Sequence, residues 1–151
     1  YKRQLYAHPR DHVIFPDNHD MSRVHTQFGD DVRKTRLAAY FHATTRGIPQ
    51  FFYGTEILMS NTGGLNHGKI RSDFPGGWTE DSDDVNGFIG VGLSEEALAF
   101  QAELRMLLNW RRKATAVHMG TLKHYVPVGG SYVYFREFAE HILMIILNHI
   151  D

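Results

Sequence analysis

Two short apolar runs with one amphipathic helix between them constrain this chain more than any other feature. Residues 11–15 (Asp-His-Val-Ile-Phe), closed by Pro16, read as a buried strand. Gln50-Phe51-Phe52-Tyr53, ended by Gly54, reads as a second. Between them Leu37, Tyr40, Phe41 and Thr44 recur at i, i+3, i+4 and i+7, giving one helical face that can pack on a sheet. Asp30 and Asp31 stand where a cap and a first-turn acid belong, and Gly47 with Pro49 marks the stop. Strand, helix and strand in that order predict a parallel pair joined by a crossover helix, an α/β arrangement.

The second half obeys a different period. A helix is predicted from about Ser94 to Lys113, with Ser94 as N-cap and Glu95 and Glu96 at the positive end of its dipole. Arg111, Arg112 and Lys113 suit the negative end, and Ala97, Phe100, Leu104, Leu107 and Leu108 form the apolar stripe. Beyond it, residues 122–128, 131–138 and 141–148 alternate as three strands, joined by turns at Gly129-Gly130 and Ala139-Glu140. The shift near residue 116 predicts a domain boundary: α/β structure over 1–115, an antiparallel β unit over 116–151.

Residues 54–93 follow neither rhythm. They hold nine of the 14 glycines, and six acids against two bases. A connection that long inside a compact domain is either functional or a misreading of the elements. Its aromatics Phe74, Trp78 and Phe88 favour a functional segment packed on something.

Charge and composition exclude several classes. With 16 basic against 17 acidic residues the formal charge is −1, without the basic surplus of a nucleic-acid protein. There is no cysteine, which excludes a disulfide framework, a thiolate metal centre and thiol catalysis. No window reaches the roughly 18 consecutive apolar residues of a membrane span, and the longest run, residues 142–147, suits a buried strand. The ten histidines form no His-Glu-x-x-His and no paired helical pattern, so no metal site is predicted. A metal-dependent hydrolase using Asp20 and the histidines is therefore the weakest enzyme reading. The start, Tyr1-Lys2-Arg3-Gln4-Leu5, lacks the features of a signal peptide, and both ends read as cuts in a longer protein.

Two segments could carry chemistry. Asp17-Asn18-His19-Asp20 follows the first strand, and active sites of parallel α/β folds lie at the C-terminal ends of strands. An imidazole beside a carboxylate there can hydrogen-bond a polyol and stabilise developing positive charge. From spacing alone an Asx-rich capping turn is the favoured reading of those four residues. The second segment, Gly47-Ile48-Pro49-Gln50-Phe51-Phe52-Tyr53-Gly54-Thr55-Glu56, delivers Tyr53, Thr55 and Glu56 to the same end, with Glu56 as cap or ion-pair partner the bland alternative.

Together the two segments resemble a known family. Phe15-Pro16-Asp17-Asn18-His19-Asp20, with Arg23 three positions on, resembles the Phe-x-x-Asn-His-Asp motif of the α-amylase family of glycoside hydrolases. Residues 47–56 resemble that family's Gly-x-Pro-x-x-x-x-Gly-x-Glu motif on the eighth barrel strand. The loop from His67 through Arg71, Asp73 and Gly76-Gly77 to Trp78 is similar to that of neopullulanase- and cyclomaltodextrinase-like members. The resemblance implies the last two βα units of a (β/α)8 barrel over 1–115, then the beginning of an antiparallel β-sandwich domain over 116–151.

For function, the resemblance implies a retaining hydrolase of α-glucans or maltodextrins, of starch, pullulan or cyclodextrin type. It assigns Asp20 the stabilisation of the oxocarbenium-like transition state, His19 a hydrogen bond to the same sugar, and Asn18 the holding of the turn. Arg71 and Asp73 fall in the loop that reaches sugars beyond the cleavage point, with a salt bridge inside the acidic loop as the rival reading for Arg71. Trp78 could stack on a sugar face, although a small local core is the commoner fate of such an aromatic.

The sequence also departs from the family. It contains no Gly-x-Arg-x-Asp, and no carboxylate stands in the context of the nucleophile or the acid/base, so this chain alone is expected to be inactive. No cofactor is expected in this segment; the resemblance leaves calcium possible in the whole enzyme, where the family's site is built mainly from other segments. The expected partner is an α-glucan oligosaccharide, and exposed strand edges leave homo-oligomerisation or strand exchange open. Relatives of this subtype often act in the periplasm or at the cell surface. A second class of function stays in view: a non-catalytic carbohydrate-binding or assembly module on the same scaffold.

Overall fold

The computed structural model describes residues 8–62 and 64–149; Tyr1–Leu5 and Ile150-Asp151, read above as parts of cut ends, lie outside the described residues. The chain forms two compact units. One comprises the residues through Ile14, Leu37–Gln50 and the residues from Leu107, and the other comprises Phe15–Arg36 and Phe51–Met106.

In the first unit β1 (Val13–Ile14) and β2 (Ile48–Pro49) pair in parallel, Val13 with Ile48 and Ile14 with Pro49. The parallel pairing predicted from the crossover pattern is present, but both strands are shorter than predicted. The second lies at Ile48–Pro49, ahead of the predicted segment 50–53. Gln50 N–H donates to the Ile14 carbonyl at 2.9 Å. The next rung would need a donor on residue 16, and proline has none.

The crossover is α2 (Val32–Thr44), which follows the one-turn helix α1 (Val24–Gln27). Asp31 Oδ1 caps it, accepting from the N–H groups of Arg33 at 2.8 Å and Lys34 at 3.4 Å. The buried face corrects the predicted one. Thr35, Ala39, His42, Ala43 and Thr44 are buried, whereas Leu37 and Tyr40 are half-buried and Phe41 is 40% exposed. Counting apolar residues cannot find polar ones whose bonds are satisfied inside. Thr35 Oγ1 donates to the Asp31 carbonyl at 2.9 Å, and His42 Nε2 reaches the Gln50 carbonyl at 3.1 Å.

After α3 (His67–Ile70) comes the long helix α4 (Glu95–Arg111), which matches its prediction closely. Ser94 Oγ accepts from Ala97 N–H at 3.1 Å, and Ala97, Phe100, Leu104 and Leu107 are buried. A short helix, α5 (Thr115–Met119), then leads into an antiparallel sheet of order β3-β4-β5. The strands are β3 (Thr121–His124), β4 (Ser131–Phe138) and β5 (His141–Asn148), the last two with the predicted bounds.

The first strand of this sheet stops short of 128, and a bulge explains it. Tyr125 N–H still reaches the Val133 carbonyl at 3.2 Å, yet Val128 bridges Ser131, so Val126 and Pro127 stand opposite Tyr132 alone. Val128 and Ser131 exchange two bonds of 3.0 Å across Gly129 and Gly130, whose φ values of 56° and 75° are those of a primed hairpin turn.

Arginines tie this unit together. Arg136, fully buried, donates to the carbonyls of Thr44 at 3.2 Å, Val117 at 2.5 Å and Gly120 at 3.0 Å. Arg111 reaches those of Ala43 at 2.7 Å and Gly47 at 3.1 Å, and Arg10 that of Met119 at 2.8 Å. The carbonyls at helix ends lack intrahelical partners and carry the negative end of the dipole, so guanidinium groups satisfy both needs. Beside Arg136, Tyr134 bonds Thr44 Oγ1 at 2.5 Å, and burial pushes its phenol up to about 12.

Candidate functional site

In the second unit, the segment that follows β1 is fixed from within. Asn18 Oδ1 accepts from Asp20 N–H at 2.8 Å and the Asn18 carbonyl from Met21 N–H at 3.3 Å, the Asx turn read in the sequence. Asp17 is fully buried and its Oδ2 accepts from Val24 N–H at 2.7 Å. Burial raises its carboxyl, against the lowering effects of that bond and of the Arg23 charge.

Arg23 joins this segment to the one that follows β2. Its side chain is 1% exposed, and its Nη1 donates to the Tyr53 carbonyl at 2.6 Å. The guanidinium lies 4.7 Å from the Phe52 ring centroid and 4.9 Å from that of Tyr53. Its backbone N–H meets Asn61 Oδ1 at 2.8 Å. Gly54, at φ +83°, permits this approach, because a Cβ there would collide with Met59 Sδ and crowd Arg23. Burial lowers the Arg23 pKa, and Tyr53, Asp17 and Glu56 oppose that.

A third segment closes over the turn. The side chain of Asn66 caps α3, and Ile70 anchors the helix in the core. Tyr53 O–H donates to the Ser72 carbonyl at 2.9 Å. At the end of this helix Arg71 reaches back, Nη2 to Asp20 Oδ1 at 2.7 Å and Nε to the His19 carbonyl at 3.0 Å. His19 Nε2 lies 3.2 Å from Asp20 Oδ2, and His67 Nδ1 lies 3.9 Å from Asp20 Oδ1. The carboxylate of Asp20 thus accepts one hydrogen bond from Arg71 and has two imidazole nitrogens within 4 Å, yet its side chain is still 58% exposed.

Of the residues singled out from sequence, Asn18, His19, Asp20 and Arg71 come together. Asp73 and Trp78 do not bond to them among the described residues. Asp73 is exposed, and the Trp78 side chain stands outside the local aromatic pair formed by Phe74 and Phe88 at 4.7 Å. Sequence reasoning missed His67 and Asn61. The signal for His67 was its spacing four before Arg71, which puts both on one side of a helical turn. Asn61 has no local signal. A cavity of about 440 Å³ in the first unit, lined partly by Arg10, Arg111 and His118, is a weaker candidate, since those arginines are already bonded to carbonyls.

Comparison with known proteins gives a consistent picture. Residues 2–137 match the family described as Alpha amylase, catalytic domain. The cyclomaltodextrin glucanotransferase of Geobacillus stearothermophilus is 30% identical over 143 residues, which are 95% of this chain and 17% of that protein. The alpha-amylase of Geobacillus thermoleovorans, solved with acarbose, superposes with a TM-score of 0.72 at 23% identity, covering 97% of this chain and 29% of that one. A cyclomaltodextrinase gives 0.70 at 23%, over 92% of this chain and 21% of that one. The chain therefore spans under a third of these relatives. The structural likeness shows the fold, a region of a (β/α)8 barrel.

Proposed function

This chain belongs to the alpha-amylase catalytic-domain family, and from that premise we propose that it supplies the sugar-gripping part of a retaining glycoside hydrolase site for α-glucans or maltodextrins, of starch, pullulan or cyclodextrin type. The observation behind this reading is the half-exposed carboxylate of Asp20, oriented by Arg71 at 2.7 Å with the His19 imidazole 3.2 Å away. Retaining enzymes work through a nucleophile and an acid/base flanking an oxocarbenium-like transition state. Asp20 is neither. A fixed anion gains attraction as positive charge grows at the anomeric carbon, so it favours the transition state over the bound substrate.

In this account His19 hydrogen-bonds the same sugar and Asn18 keeps both residues in place. Arg71 and Asp73 reach neighbouring hydroxyls, and the exposed Trp78 offers an aromatic face for stacking. No residue of this chain takes the nucleophile or acid/base role, so the 151-residue chain by itself does not hydrolyse glucan. Among the described residues no three His, Asp or Glu side chains are grouped as metal ligands, and no step is derived through a metal.

On the same premise residues 1–115 are the last two βα units of the barrel, and 116–151 begin an antiparallel β-sandwich. Support for the latter comes from one face of β5, where Ile142, Met144 and Ile146 are 68%, 54% and 57% exposed. That apolar face fits a covering second sheet or a second copy of the chain. The test of function is calorimetric titration with maltoheptaose. Saturable binding that Asp20→Ala or His19→Ala abolishes is the expected result. No saturable binding, or binding that survives both substitutions, overturns the reading.

A further inference from the structure

We propose that His67 is a ligand-contacting residue of this site, with its Nδ1–H donating to a glucan hydroxyl that in turn donates to Asp20 Oδ1. The inference rests on the glucan-binding reading above and adds a residue to it. An ionised carboxylate offers about four acceptor positions. Around Asp20, Arg71 Nη2 at 2.7 Å takes one on Oδ1, and His19 Nε2 lies 3.2 Å from Oδ2. His67 Nδ1, at 3.9 Å from Oδ1, is too distant for a direct hydrogen bond. A polar separation of that size is the span one intervening oxygen bridges.

The surroundings favour a ligand's hydroxyl as that oxygen. The His67 and Asp20 side chains are 54% and 58% exposed, so the gap opens to solvent rather than into the core. His67 is also held from behind. It opens α3, which the Asn66 side chain caps through Gly68 N–H at 2.9 Å, and Arg71 at the other end of the same turn is bound to Asp20. A donor fixed beside a fixed acceptor recognises a hydroxyl, which is both donor and acceptor, better than a purely cationic or anionic group. A bare ion pair at 3.9 Å between half-exposed groups would matter little for a neutral sugar.

The test uses the intact chain, maltoheptaose as probe, and three substitutions at the exposed His67. His67→Asn keeps a donor nitrogen two bonds from Cβ, where Nδ1 stood, whereas His67→Gln moves it outward and His67→Phe removes it. Calorimetry should show affinity weakened about three- to tenfold in His67→Phe and His67→Gln and largely retained in His67→Asn. Wild-type binding that His67→Phe leaves unchanged, or that all three variants weaken equally, overturns the role of His67 alone. Absence of wild-type binding overturns it together with the glucan-binding reading.

Discussion

Arg71 and Asp20 lie 51 residues apart in sequence and meet at 2.7 Å, with Arg71 Nε held on the His19 carbonyl at 3.0 Å. One guanidinium therefore orients both the acid and the residue before it. The pair is half exposed, and pairs of that kind add only about 0–1 kcal/mol to stability. Arg71→Gln should accordingly shift the urea midpoint little while weakening maltoheptaose binding about tenfold. Unchanged affinity in a normally folded Arg71→Gln chain would show that the guanidinium does not set the site.

Arg136 has the opposite profile, structural and buried. Replacing it with methionine leaves the carbonyls of Thr44, Val117 and Gly120 without this donor. The expected loss is about 3–5 kcal/mol in urea unfolding, with lysine recovering only part because it cannot fork to several carbonyls. A loss below about 1 kcal/mol would contradict this role.

Acid should loosen the fold before it reaches the carboxylate range. Burial, the main cause in both cases, holds His25 and His42 below their ordinary 6.5. Below 6.5 the unfolded chain takes up protons that the folded chain refuses, so their contribution is complete above that value and is lost as pH falls. Asp17, raised above 3.8, has the reverse sign: its contribution is present below 3.8 and lost as pH rises through its folded value. The urea midpoint should drop between about pH 7.5 and about pH 5.5, and His25→Gln should flatten part of that drop. An unchanged midpoint would refute the neutral buried state of both histidines.

Ala139 turns the β4–β5 hairpin at φ +51°, a conformation that suits glycine. Ala139→Gly should raise stability by about 0.5–1 kcal/mol after the entropy cost of glycine, read as a higher melting temperature. A lower melting temperature would mean that the turn is unstrained.

What the sequence disclosed follows from where each signal lies. Helix α4 and strands β4 and β5 were legible because cap, period and turn chemistry all agree over one continuous stretch. Asn18, His19 and Asp20 were legible because a strand, a polar turn and a familiar motif coincide. The buried face of α2 was not, since Thr35 and His42 are buried by virtue of bonds to residues that local pattern does not reveal. Strand β2 was misplaced because the aromatic run 51–53 outweighed the missing donor of Pro16. Arg23 with Tyr53 and Arg136 with Thr44 join residues 30 and 92 positions apart, distances at which no periodicity speaks.

The central claim is that the turn ending in Asp20 and the helix carrying His67 and Arg71 form one sugar site. Backbone amide chemical shifts, followed during a maltoheptaose titration of the 15N-labelled chain, test this most directly. Saturating changes concentrated at residues 18–20 and 67–71, and absent in Asp20→Ala, are predicted. Changes centred elsewhere, such as on the exposed face of β5, or no changes at all, would contradict the account.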